Sequence, residues 1–80
     1  AMQSAGIFDG DEVIVDRSLS VRHGSVVIVN LNGQMLVRRW QIDGQQVGLL
    51  SDESPLPVIL AEGDEVSVFG VITRCLHHVR

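Results

Sequence analysis

Eighty residues carry ten carboxylates, six arginines and no lysine. The formal charge of −4 and a pI near 5.1 argue against a large phosphate-binding face, so direct nucleic-acid binding is not expected. Hydrophobic residues make up 45% and charged ones 20%, which is a globular composition and not a disordered one.

So short a chain reads as one domain over 1–80. It hides only about 60% of its unfolded surface. A core that thin predicts further burial against a second copy, and hence a homodimer. No apolar run reaches the ~20 residues needed to cross a bilayer, and no signal peptide is visible. The single cysteine, Cys75, excludes an internal disulfide and suits a reducing cytoplasm. The opening Ala1-Met2 reads either as a domain cut or as an expression scar ahead of a start methionine.

The elements are all β. Gly10-Asp11 makes a turn, and EVIVD (12–16) follows as a short apolar strand. SVVIVN (25–30) is continuous in its apolar residues, which predicts cover on both faces. Asn32-Gly33 is a two-residue hairpin signal, because both positions tolerate positive φ. QMLVRRWQ (34–41) returns as its partner. Asp43-Gly44 is expected to repeat that turn chemistry before QVGLL (46–50), so 25–50 reads as a three-strand meander. In the loop 51–57, Pro55 and Pro57 are barred from interior ladder positions. VIL (58–60) is a short edge strand. Gly63-Asp64-Glu65 echoes Gly10-Asp11-Glu12, and each leads into Val-x-Val. VSVFGVITRCL (66–76) closes the chain as its longest strand, with Gly70 as a bulge or a point of close approach. The fold class is therefore all-β, a small curled antiparallel sheet or partial barrel.

Within LVRRWQ (36–41) alternation puts Arg38 with Leu36 and Trp40, and Arg39 with Met35 and Val37. Each face carries apolar company, so one guanidinium must lie on a surface that would otherwise be buried. Beside Trp40 the pair could touch a nucleic acid, but two charges make a weak case, and solvated strand charges are the simpler reading.

Catalytic signals are sparse. None of Ser4, Ser18, Ser20, Ser25, Ser51, Ser54 and Ser67 lies in a Gly-x-Ser-x-Gly elbow, and His23, His77 and His78 have no orienting partner nearby in sequence. A triad assembled from distant positions stays open. Cys75 and His77 share a face, with His78 pointing the other way, and Cys-x-His-His has the right ligand types for zinc, yet the only histidine outside this group is His23, so there is no second cluster and no metal is expected there. Asp9, Asp11 and Glu12 could hold a hard cation, but turn chemistry accounts for them. No glycine-rich phosphate loop appears and no cofactor is expected. The missing lysine excludes a Ser-Lys dyad. That chemistry needs an amine that sheds its proton near neutral pH, and arginine, with a pKa above ~12, offers no lone pair.

Met2, GIFDGDEVIVDRSL (6–19), GSVVIVNLNGQMLVRR (24–39) and VFGVIT (68–73), in that order, resemble the LexA/UmuD family of self-cleaving S24 peptidase domains of the bacterial SOS response, nearest its UmuD branch. The first long stretch is similar to the family's Gly-Ile-x-x-Gly-Asp-x-x-Ile-Val-Asp run. The resemblance implies the fold of the LexA C-terminal domain and catalysis by a serine and a lysine. It places Ala1 where the serine stands and, counting without gaps from Gly33, Arg38 where the lysine stands; a one-place slip would substitute Arg39. Both catalytic positions are therefore expected to be non-functional. The loop also departs, with Glu53 and Leu56 where the family tends to have Asn and Tyr. The resemblance further implies a homodimer, a Y-family lesion-bypass polymerase of the UmuC kind as partner, and a RecA filament at the cleavage step. The chain has no helix-turn-helix, which favours the polymerase role over that of a repressor. The alternatives are an active self-processing peptidase whose serine has been removed, and a generic β-barrel interaction module.

Overall fold

The computed structural model describes residues 2, 6–7 and 10–77, and among them are six strands and no helix. The strands are β1 (Glu12–Asp16), β2 (Val26–Leu31), β3 (Gln34–Asp43), β4 (Gln46–Leu50), β5 (Val58–Ile59) and β6 (Val66–Leu76). They form a single antiparallel sheet in the order β1-β6-β2-β3-β4-β5, which stays open with β1 and β5 at its edges. The meander over β2, β3 and β4 is as the turn signals predict. The step that local patterns do not announce is the last strand inserting between β1 and β2.

In this single sheet the cover expected on both faces of β2 is complete on one face only. Hydrogen-bonded to β3 on one side and β6 on the other, β2 is an interior strand. Val27 and Val29 are fully buried, whereas Val26 and Ile28 on the opposite face are half-buried. Leu49 and Val71 join them in one cluster, with Leu36, Trp40 and Val68 packed at its margin. Full burial of such aliphatic side chains stabilises by about 1.5–3 kcal/mol each. Among the described residues only Met2, Val27, Val29, Leu49 and Val71 form the buried apolar set. The core is as thin as the length requires.

The two hairpins use different turns. Asn32 (φ 52°) and Gly33 (φ 87°) both take the left-handed conformation between β2 and β3, as a two-residue mirror-image turn demands. Between β3 and β4 the expected Asp43-Gly44 pair is shifted by one. Asp43 still pairs with Gln46, so Gly44 and Gln45 are the central residues, and of these only Gly44 (φ 60°) has positive φ. A turn that needs positive φ at its first central position alone places glycine there and leaves the aspartate in the ladder.

Gly70 marks both a bulge and a close approach. Ile28 pairs with Gly70 but Val29 pairs with Val68, leaving Phe69 as the extra residue of β6. A Cβ on Gly70 would collide with Cγ1 of Val15 and sit 3.3 Å from the Asp16 carbonyl oxygen. Arg17 closes over the bulge. Its Nε donates to the Phe69 carbonyl at 3.1 Å, and its guanidinium carbon lies 4.5 Å from the centre of the Phe69 ring. Such a cation–π contact covers an otherwise exposed aromatic face.

Candidate functional site

The gapless register of the β2–β3 hairpin decides the faces of the two arginines. Arg38 pairs with Val27 and Arg39 with Val26, so Arg38 shares the face of the buried cluster and Arg39 takes the other. Both are half-buried. Their charges are met by backbone carbonyls: Nη1 of Arg38 donates to Val37 at 2.7 Å, and Nη1 of Arg39 donates to Gly24 at 2.9 Å. The long stems lie along the apolar sheet while the heads fold back to polar atoms. This is how the sheet accommodates adjacent cations on a strand with apolar neighbours on both sides.

Met2 is 1% exposed. Its carbonyl accepts the Ile7 amide at 3.1 Å. Ile7 also lines a cavity of about 120 Å³ with Val26, Ile72, Thr73, Arg74 and Cys75. Val26 belongs to the opposite side of β2 from Val27, so this cavity lies away from the buried cluster. Ala1, Asp9 and His78 lie outside the described residues, so the expectations that rest on them have no geometry here.

The serines with resolved side-chain partners serve turns. Ser18 donates to Asp16 at 2.6 Å, the Ser25 hydroxyl accepts the Arg22 amide at 3.0 Å, and that of Ser54 accepts the Leu56 amide at 3.3 Å. Nδ1 of His23 accepts the Ile42 amide at 2.9 Å, which fixes its tautomer with the proton on Nε2. That ring buttresses the start of the β3–β4 hairpin.

Cys75 and His77 converge with a residue that the spacing of the sequence did not associate with them. Glu12 pairs with Leu76 and Val13 with Cys75, which brings Asp11, just before β1, to the end of β6. Oδ2 of Asp11 accepts from Cys75 Sγ at 3.1 Å and lies 2.7 Å from Nδ1 of His77. The Asp11 side chain is 6% exposed and that of His77 is 52% exposed. Partial burial first, then the hydrogen bond and negative charge of Asp11, hold the Cys75 thiol above its ordinary pKa, because each disfavours a thiolate. The signal that could have found this trio is the repeated Gly-Asp-Glu turn, once β1 and β6 are known to pair. Turn chemistry is expected to account for Asp9, Asp11 and Glu12, and Asp11 instead joins this trio.

Residues 1–73 match the family model described as Peptidase S24-like. The chain belongs to the S24-like peptidase family. The LexA repressor of Acidithiobacillus ferrooxidans is 41% identical over 81 residues, covering 95% of this chain and 39% of the repressor. Protein MucA of Salmonella typhimurium is 30% identical over 77 residues, covering 95% of this chain and 53% of MucA. Protein ImpA of the same organism is 30% identical over 81 residues, covering all of this chain and 54% of ImpA. The S24-like chain thus spans between two-fifths and about half the length of these relatives. Its open six-stranded antiparallel sheet is consistent with the all-β fold that the resemblance implied. Among the described residues no helix is long and apolar enough to cross a membrane.

Proposed function

We propose that this S24-like domain is a proteolytically silent scaffold of the SOS response, a cytoplasmic homodimer that serves as accessory subunit of a Y-family translesion polymerase. The observation that carries the silent half of this reading is Arg38 on a chain with no lysine. In a Ser-Lys dyad the neutral amine takes the hydroxyl proton as Oγ attacks the scissile carbonyl, and the lysine must be desolvated enough to give up its charge. A guanidinium keeps its proton at every physiological pH and has no lone pair for the hydroxyl proton. Counting from Gly33, Arg38 takes the family lysine's place, and Ala1 takes the serine's. Neither side chain can perform its half of the transfer.

The dimeric half is supported by the distribution of apolar surface. Among the described residues, five buried apolar residues stand against ten large hydrophobics that are exposed, among them Leu56, Val58, Ile59 and Phe69. A single open sheet of this size gains further burial from a second copy. The polymerase role rests on the UmuD-like resemblance.

A second reading is favoured by the 41% identity to a LexA repressor: the same domain dimerising, and in its native form cleaving, a repressor. Co-purification of the full natural protein with a panel of Y-family polymerases separates the two. Stoichiometric capture of one polymerase by a dimer supports the scaffold reading. Capture of none, together with binding to an operator-like duplex, supports the repressor. Sedimentation at tens of micromolar checks the dimer, and a strictly monomeric species would contradict both.

A further inference from the structure

Asp11, Cys75 and His77 present one carboxylate oxygen, one sulfur and one imidazole nitrogen within 4.8 Å of one another. From this geometry we propose that these three side chains form a site for a zinc-class divalent cation, which pins the edge strand β1 to the end of β6. The donor set points to that class. Hard cations such as magnesium and calcium take all-oxygen shells, whereas a thiolate and an imidazole together select zinc and its neighbours.

The two Asp11 contacts need little adjustment, and the sulfur and the imidazole nitrogen, within 4.8 Å of each other, draw together onto the ion. Zinc bonds sulfur at about 2.3 Å and nitrogen or oxygen at about 2.0–2.2 Å, so tetrahedral ligand atoms stand roughly 3.3–3.6 Å apart. The Asp11 oxygen lies 3.1 Å from the sulfur and 2.7 Å from the nitrogen. Admitting the ion means spreading these contacts by less than about 1 Å. The thiol proton and any proton between Asp11 and His77 leave to solvent as the ion enters, since the ligands are thiolate, carboxylate and neutral imidazole. The exposed side of His77 provides the way in. The net charge of −4 favours a cation over an anion at this place.

The framework is already built. Cys75 is fixed by its pairing with Val13, and Asp11 by the turn that starts β1. Since β1 is bonded to the sheet through β6 alone, an ion bridging the loop before β1 to the end of β6 ties down an edge strand that has a single neighbour. Binding the folded state alone raises its stability by mass action.

The 80-residue chain, reduced with a non-coordinating phosphine and freed of metal, is titrated with cobalt(II) and then zinc. The expected result is one cobalt per chain with a thiolate-to-cobalt charge-transfer band and the strong visible absorption of a four-coordinate ion, both displaced by zinc. Outer-shell changes already weaken metal sites by roughly 10–100-fold. Loss of a ligand in His77→Ala or Asp11→Asn should therefore weaken binding about a hundredfold or more, and Cys75→Ser should abolish the charge-transfer band. His23→Ala should bind as the parent does. His77→Ala keeps the test decisive if the other variants fold poorly, because its side chain is half exposed. No thiolate band in the folded parent, or unchanged affinity in folded His77→Ala, would overturn the proposal and leave a hydrogen-bonded clasp.

Discussion

The same tripeptide, Gly-Asp-Glu, introduces the first and the last strand, and its two copies do different work. In the second copy, Asp64 accepts the Ala61 amide at 2.9 Å and the Asn32 side-chain amide at 3.1 Å, and Asn32 in turn accepts the Glu65 amide at 2.8 Å. This carboxylate stitches one turn to the tip of the β2–β3 hairpin and meets only amides. In the first copy, Asp11 meets a thiol and an imidazole. Local sequence sets the turn, but the strand opposite sets the chemistry. Asp64 faces a hairpin tip, whereas Asp11 faces the end of β6.

The contrast can be broken most sharply with metal. Zinc should raise the melting temperature of the parent and of Asp64→Asn, and leave Asp11→Asn unmoved. A thermal melt with and without zinc reads this, and equal responses in the two aspartate variants would erase the distinction. A smaller effect is expected at Gly70, whose missing side chain lets β1 lie against β6. Gly70→Val places Cβ where Val15 stands, and overpacking of this kind costs typically 1–3 kcal/mol. Denaturant unfolding should show that loss. Cysteine labelling should also show Cys75 more reactive in Gly70→Val, because the shift of β1 would withdraw Asp11 from it.

The smallest effect is acid sensitivity at the second turn. The backbone hydrogen bond from Ala61, then that from Asn32, holds the Asp64 carboxyl below its usual pKa of 3.8. Asp16 is lowered likewise, chiefly by the Ser18 hydroxyl. A folded pKa below the unfolded one means that these groups stabilise the fold above about pH 3.8 and lose that contribution as pH falls through their folded values. Unfolding free energy measured from pH 5 downward should decline less steeply in Asp64→Asn than in the parent. Parallel profiles would remove Asp64 as a contributor.

Much of this architecture can be read along the chain because its determinants are local. β1, β4 and β6 have the bounds that Val and Ile runs between turn residues suggest, and Asn32-Gly33 specifies its hairpin by backbone conformation alone. Asp43-Gly44 misleads by one position because a glycine permits positive φ at either central residue, and the pairing of Asp43 with Gln46 decides which. The placement of β6 between β1 and β2 is non-local. So is everything that depends on it, including the meeting of Asp11 with Cys75 across 64 positions. The faces of Arg38 and Arg39 were legible, since register from a two-residue turn admits one solution. The carbonyls that receive their guanidinium groups were not, because backbone acceptors leave no mark on side-chain pattern.

On the proposed scaffold reading, Arg38 in the family lysine's place leaves the fold without a proton acceptor for cleavage. The direct test is mass spectrometry of the natural full-length protein, with its own residue at position 1, after incubation at alkaline pH and with an activated RecA filament. The account predicts a single intact mass under both conditions, with cleavage fragments appearing only after Arg38→Lys is introduced alongside a serine at position 1. Fragments from the protein that still carries Arg38 would contradict it.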